Sequence, residues 1–364
     1  MLPLLSIAIN LNVQLIYEKY FRHPHQNHTT NLHTRWHGNH QSAHPFGTSM
    51  NPTAILQWAT DYLNSQDYKV VVETPWSQVI RFATSNGPVY LKQTPPALFL
   101  EPKIIQLLQG QFHANVPTVI ASNDVLYGFL MKDAGITLRS YLKTNFQPEL
   151  LLTAIDQHAQ IQRSVERNLE SFLALGVPDW RLEKLPQLYE QLMSQTEFLK
   201  AEGLTDKELQ VLLDLTPHFT AQCAALSQYH ISATLVQPDF NTNNTLFDPA
   251  TQKLTFIDWG EIVISHPFFA LHNYLLQAIK HHGVTASSPL YQQLQKACCE
   301  PWLEFAPENK LLEAFVLIQK LFPIYSALAY YRLMLAVDPQ ALKSFYGERL
   351  AGYFREYIAS THLI

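Results

Sequence analysis

The chain is short of charge, of cysteine and of long apolar runs, and each shortage excludes something. Asp, Glu, Lys and Arg make up 15% of its 364 residues, with a net charge of −5, against about 25% charged residues in average proteins. That balance offers no basic stripe, so no nucleic-acid partner is expected. The three cysteines, Cys223, Cys298 and Cys299, lack C-x2-C metal spacing, and the adjacent pair are poor disulfide partners for each other. Free thiols in a reducing cytoplasm are the expectation. No unbroken run of about 18 apolar residues occurs, so neither a membrane-spanning helix nor a membrane partner is expected. What is abundant is apolar side chain, 47% of the total. This suffices for a sizeable core, and the length suggests two lobes or domains.

Residues 1–49 differ from the rest. Leu2 to Ile9 is an apolar run with no basic residue before it, which argues against a signal peptide. A tract with His23, His25, His28, His33, His37, His40 and His44 follows. Metal binding is one reading of such a tract. A disordered extension outside the fold is the simpler one, with Met50 as the natural start. Asn51-Pro52 then opens a helix well, with Asn as N-cap and Pro in the first position.

Downstream, residues 52–65 carry apolar residues at helical spacing. Tyr68 to Val72, Gln78 to Ala83, Val89 to Lys92, Thr118 to Ala121 and Leu126 to Met131 read as strands, with a helix from Leu100 to Leu108. From residue 137 the pattern is helical, over 137–143, 148–175, 181–201 and 205–229. A β segment from Thr234 to Ile257 interrupts it, and helices resume over 267–281, 288–304, 308–335 and 338–358. Phe315, Phe322, Tyr325, Tyr330 and Tyr331 form an aromatic cluster suited to core packing or to a pocket wall.

The segment 234–259 carries the chemistry. Asp239 lies in a loop stiffened by Pro238, and Asn244 opens a run that turns at Asp248-Pro249-Ala250-Thr251 and returns to Asp258. Positions 244 and 258 are symmetric about 251, so a hairpin turning there sets Asn244 beside Asp258. Mg²⁺ takes hard oxygen ligands, usually only one or two of them protein carboxylates. Asn244 and Asp258 fit that need, and Asp239 fits the role of orienting an acceptor hydroxyl. A hairpin whose Asp and Asn merely cap turns is the plain alternative.

The stretch Gln237-Pro238-Asp239-Phe240-Asn241-Thr242-Asn243-Asn244, followed by Ile257-Asp258-Trp259, resembles the aminoglycoside phosphotransferase and choline-kinase-like group of small-molecule kinases. That group reads H-x-D-x4-N and then I-D-W or I-D-F. Trp259-Gly260-Glu261 and Ser265-His266-Pro267-Phe268-Phe269 resemble one branch of it. The resemblance runs roughly over residues 70–350 and is specific in 236–269. It implies an α+β, protein-kinase-like two-lobed fold, with a small β-rich nucleotide lobe at 50–133 and a large, mainly helical lobe at 134–364. Asp239 matches the catalytic aspartate, and Asn244 and Asp258 match the metal ligands. Gln237 stands where the family has His and Pro238 where it has Gly; glutamine can also make the supporting hydrogen bonds.

In that fold Lys92, at the end of the third strand, pairs with nucleotide phosphates and with Glu101 on the next helix. Met131-Lys132-Asp133 is the connector whose backbone meets the nucleotide base. The turn Glu73-Thr74-Pro75-Trp76-Ser77-Gln78, where a glycine-rich phosphate loop belongs, has no glycine. His266 reads as a metal-loop support or a packed histidine, Glu261 as a contact to a cationic substrate or a solvated acid, and His281-His282 as a helix end at Gly283.

The function implied is Mg²⁺-dependent transfer of a γ-phosphoryl group from ATP or GTP to the hydroxyl of a small molecule. The glycine-free turn and Gln237 keep open a catalytically silent kinase-like binding module. Protein kinase activity fits poorly, since eight residues separate Asp258 from Pro267 and leave no activation segment.

Overall fold

The computed structural model describes residues 50–361. The expectations for residues 1–49 lie outside the described residues. Helix α1 (Pro52–Leu63) starts as expected: Asn51 Oδ1 accepts from the Ala54 N–H at 3.1 Å, and Pro52 fills the first position. It buries Ile55 and Ala59 on a five-stranded antiparallel sheet of order β1-β2-β3-β5-β4. The strands are β1 (Tyr68–Thr74), β2 (Ser77–Phe82), β3 (Val89–Gln93), β4 (Val119–Asn123) and β5 (Gly128–Lys132).

Alternation assigns the two faces of this sheet. Ile80, Phe82, Val89, Leu91 and Leu130 pack with α1 in a small core of their own. Gly128 is required there, because a Cβ would fall 2.6 Å from Ile55 Cγ1. The opposite face presents Val79, Tyr90, Lys92 and Met131 to the interlobe cleft. Helix α2 (Glu101–Phe112) sits between the sheet and the larger lobe and belongs to the larger core through Ile104, Ile105 and Leu108.

The second lobe comprises α3 (Leu138–Thr144), α4 (Pro148–Val165), α5 (Leu169–Ala174), α6 (Leu185–Met193), α7 (Thr196–Ala201), α8 (Asp206–Asp214) and α9 (Thr216–Ser227). Then come α10 (Phe268–His282), α11 (Pro289–Cys299), α12 (Glu308–Ala336), α13 (Pro339–Tyr346) and α14 (Arg349–Ser360). Three expected long helices are each broken in two. The span 148–175 divides at Glu166–Asn168, 181–201 starts only at Leu185 and divides at Ser194–Gln195, and 205–229 divides at Leu215. Apolar spacing continues through each break because the second helix packs into the same core, so periodicity does not register the corner. Helix α12, by contrast, runs unbroken through Pro323.

By length and composition α12 could cross a membrane, although no single apolar run announces it. Here it is a core helix, 56% of its most apolar window buried inside the fold, packed against α9, α10 and α14.

Two short sheets organise the middle of this lobe. Strands β8 (Thr245–Asp248) and β9 (Lys253–Phe256) form the expected hairpin, extended by β6 (Ile136–Thr137). Strands β7 (Thr234–Val236) and β10 (Val263–Ser265) pair separately. Their open ends face the cleft beneath the sheet.

Candidate active site

Gln237 to Asn244 is the loop between β7 and β8, and Ile257 to Ile262 links β9 to β10. The hairpin register is one residue tighter than the symmetry argument expects. Thr245 pairs with Phe256, and the Asn244 carbonyl accepts from the Ile257 N–H at 3.0 Å, leaving Asp258 one residue beyond. The turn accounts for the shift: Gln252 takes φ +60 and its N–H returns to the Asp248 carbonyl at 2.8 Å. Asp258 itself has φ +69, a left-handed conformation costly for a residue with a Cβ and typical of functional sites. Gln237 holds this bend, its Nε2 donating to the Ile257 carbonyl at 2.7 Å and to the Asp258 carbonyl at 3.0 Å.

Asp239 and Asn244 meet directly. Asn244 Nδ2 donates to the Asp239 carbonyl at 2.9 Å and to Asp239 Oδ2 at 3.0 Å, and Asn241 Nδ2 donates to the same carbonyl at 2.8 Å. Asp239 is solvent-exposed, but only into the floor of the cleft. Surrounding protein first, and the Asp258 charge next, push its carboxyl up to about 6, against the pull of Arg349 and Arg139.

From the sheet, buried Lys92 reaches the same place. Its Nζ lies 2.6 Å from Glu101 Oε2 and 2.6 Å from Asp258 Oδ1. Burial alone would lower this ammonium, but Asp258 and then Glu101 outweigh it and hold the pKa above the usual lysine value. Glu101 Oε1 also accepts from the Trp259 N–H at 3.1 Å, which ties α2 to the β9–β10 link. Gly260 follows because a Cβ there would approach the Leu98 carbonyl to 3.0 Å.

Of the three connector residues, Met131 and Lys132 line the cleft and Asp133 does not. The Lys132 and Asp133 N–H groups are committed to the Thr118 and Pro88 carbonyls at 3.0 and 3.3 Å. The next residue, Ala134, does line the cleft and has no backbone partner for its N–H among the described residues. Which backbone group of a connector is free leaves no trace in the sequence, since backbone groups are common to every residue.

The glycine-free turn between β1 and β2 has its own device. Trp76, at its tip, crosses to α13, stacking on Tyr346 with centroids 5.3 Å apart and meeting Phe345 edge-on at 5.2 Å. The cleft so enclosed holds about 820 Å³. Phe322, Tyr325 and Tyr330 of the aromatic cluster line it, while Phe315 is buried against Phe268 and Tyr331 packs on Phe198. Glu261 is a cleft-wall residue rather than a solvated acid, its carboxyl pushed up by burial and by Asp258. His266 is buried and accepts from the Phe268 N–H through Nδ1 at 3.2 Å, a packed loop histidine. His281 and His282 end α10 at Gly283, φ +65. Sequence reasoning missed Trp76, Lys280, Tyr346 and Arg349 as cleft residues; single residues far apart in the chain give no local signal.

The donor set fits Mg²⁺. The Asn244 amide nitrogen turns toward Asp239, which leaves Oδ1 as a hard oxygen with no partner among the described residues, and Asn244 and Asp258 line the same cleft. One carboxylate and one amide oxygen is the sparse protein contribution that Mg²⁺ prefers. Among the described residues no group of three His, Cys, Asp or Glu side chains offers a rival site.

Fold and site together define a two-lobed, protein-kinase-like protein. The chain belongs to the phosphotransferase enzyme family, whose model matches residues 71–297. Among solved structures, the GDP and kanamycin complex of an APH(2") enzyme is similar at 16% identity and TM-score 0.55, covering 85% of this chain and 99% of that one. The Plasmodium vivax ethanolamine kinase matches at 10% identity and TM-score 0.57, with 85% and 87% covered. A macrolide 2'-phosphotransferase from Brachybacterium faecium matches at 13% identity and TM-score 0.54, with 84% and 97% covered. No curated protein sequence matches the chain.

Proposed function

We propose that this phosphotransferase moves the γ-phosphoryl group of ATP or GTP to a hydroxyl of a small molecule, in a reducing cytoplasm where Cys223, Cys298 and Cys299 stay free. The observation that carries the reading is the convergence of Lys92, Asp239, Asn244 and Asp258 on one cleft from two lobes. A silent binding module has no use for a buried lysine held between two carboxylates, at the cost of desolvating the lysine and Glu101.

In this reading the nucleotide base lies against Val71, Met131 and Ala134, and the phosphates extend toward Lys92. Asn244 Oδ1 and Asp258 would hold Mg²⁺, which would neutralise charge building on the phosphates. Lys92 places a fixed positive charge beside them. Asp239 orients the acceptor hydroxyl and takes its proton as the oxygen attacks the γ-phosphorus and the bond to the nucleoside diphosphate breaks. The aromatic wall keeps bulk water from competing as acceptor.

Thermal-shift titration with ATP, with and without Mg²⁺, tests the reading in wild type and Asp258→Ala. Stabilisation that requires Mg²⁺ and vanishes in the variant is expected. No shift in the wild type under any condition would refute it.

A further inference from the structure

The reaction as described leaves three cations of the larger lobe unused. Lys280 lies in the last turn of α10, Arg349 opens α14, and Arg139 lies in the first turn of α3. Lys280 and Arg349 line the same cleft as Asp239. None of the three has a carboxylate partner within ion-pair distance among the described residues.

Two of them are held in place by other means. Arg349 Nε donates to the Tyr353 hydroxyl at 2.8 Å, and the guanidinium lies 4.7 Å over the Tyr346 ring and 5.6 Å over the Tyr353 ring. Those contacts position the group and use only one of its donors. Arg139 gives one Nη to Asn241 Oδ1 at 2.9 Å, while its buried Nε has no partner. Asn241 in turn bonds the Asp239 carbonyl, so this arginine is fixed relative to the proposed base. Lys280 reaches solvent and makes no hydrogen bond among the described side chains. Burial, Arg349 and Arg139, in that order, lower its pKa, so like charges crowd one wall. The cleft acid Glu261 answers to Asp258, Asp239 and Arg332 instead. Asp239 is the acid whose charge reaches all three, from beyond ion-pair distance; three cations with spare donors facing that one carboxylate suit an incoming carboxylate or phosphate, which a planar guanidinium can bind with two parallel bonds.

The geometry points to an anion subsite: Lys280 and Arg349, with Arg139 behind them, bind a carboxylate or phosphate carried by the acceptor whose hydroxyl faces Asp239. This rests on the phosphotransfer reading above and narrows its substrate class to anionic hydroxyl compounds. The same cations would also suit the donor's γ-phosphate, and the test separates the two sources.

The full chain is first loaded with Mg²⁺ and the non-hydrolysable analogue AMP-PNP, which fills the γ-phosphate position. Failure to load would count against the phosphotransfer reading itself and is seen before the next step. Sulfate is then titrated against chloride at matched ionic strength, with melting temperature as readout, in wild type, Lys280→Gln and Arg349→Gln. Lys280 is exposed, so its variant folds even if loss of the Arg349 stack is disruptive. The expected result is a sulfate-specific rise in the loaded wild type, with apparent affinity weakened about tenfold or more in each folded variant. A rise equal in all three chains is general salt exclusion and overturns the proposal, as does no rise at all. A rise confined to the nucleotide-free chain assigns the cations to the donor phosphate and overturns it too. Turnover of a cationic amino alcohol that Lys280→Gln leaves unchanged would count against it equally.

Discussion

Gln237 Nε2 donates to the main-chain carbonyl of Asp258 at 3.0 Å, so the residue opening the β7–β8 loop fixes the backbone of the proposed metal ligand. With the second bond to Ile257 at 2.7 Å, one amide group satisfies two carbonyls at a left-handed bend. Gln237→Leu leaves both without that partner. We expect a stability loss of about 1–3 kcal/mol in denaturant melts and loss of the Mg²⁺-dependent nucleotide shift. Wild-type values for both would remove Gln237 from this role.

Asp239 is expected to set the acid limb of activity. A base must be ionised, and its carboxyl is raised to about 6. The kcat/KM for phosphoryl transfer should therefore fall about tenfold per pH unit below that value. Arg139 helps hold the pKa down, so Arg139→Gln should shift the limb to higher pH. Asp239→Asn keeps an oxygen for the Asn244 amide and should retain nucleotide binding while transfer drops by about 10²-fold or more. A limb that stays put in Arg139→Gln, or an active Asp239→Asn, would contradict the assignment.

A buried histidine makes stability fall on the acid side. His158 stacks on Phe240 at 3.7 Å, neither ring nitrogen has a partner, and burial depresses its pKa to about 3. An unfolded histidine titrates near 6.5 (~6.5), so between that pH and about 3 the unfolded state binds the extra proton. Stability is then fully present above the unfolded value and declines as pH falls. Buried His266 and His272 carry the same sign. His158→Phe should flatten the decline of melting temperature between pH 7 and 4 (roughly the window set by these values). An unchanged slope would exclude His158 as a contributor.

The stack of Trp76 on Tyr346 predicts energetic coupling between lobes. In a double-mutant cycle of Trp76→Ala and Tyr346→Ala, the coupling energy from denaturant melts should be about 0.5–1.5 kcal/mol. Additive single effects would mean that the two lobes do not communicate through these rings.

What could be read in the chain before folding depended on range. The α1 N-cap and the β8–β9 hairpin are local, their hydrogen bonds lying within a few residues or across one short turn, while the Gln237 bonds, 20 and 21 positions long, were readable only through the family resemblance. The one-residue shift that sets Asp258 beyond Asn244 was not legible, because it comes from the geometry of the Asp248–Gln252 turn rather than from residue spacing. The pairing of Lys92 with Glu101 was readable only through the family resemblance, and its second contact, to Asp258, spans 166 positions. Lys280 and Arg349 were invisible for a stronger reason: on α10 and α14 each reads as an ordinary surface cation, and only tertiary packing turns both toward Asp239.

The order in which these parts lie along the chain matters for how the protein is made. The proposed nucleotide face and catalytic loop are complete by Asp258, yet Tyr346, Arg349 and Tyr353, which line the same cleft, are translated some ninety positions later (~90). A nascent chain halted before Ala336 also lacks all or part of α12, whose Ile318, Leu321 and Ile324 are buried in the larger core. Premature termination there should therefore cost the larger lobe its packing, and the cleft with it, rather than yield a slower enzyme.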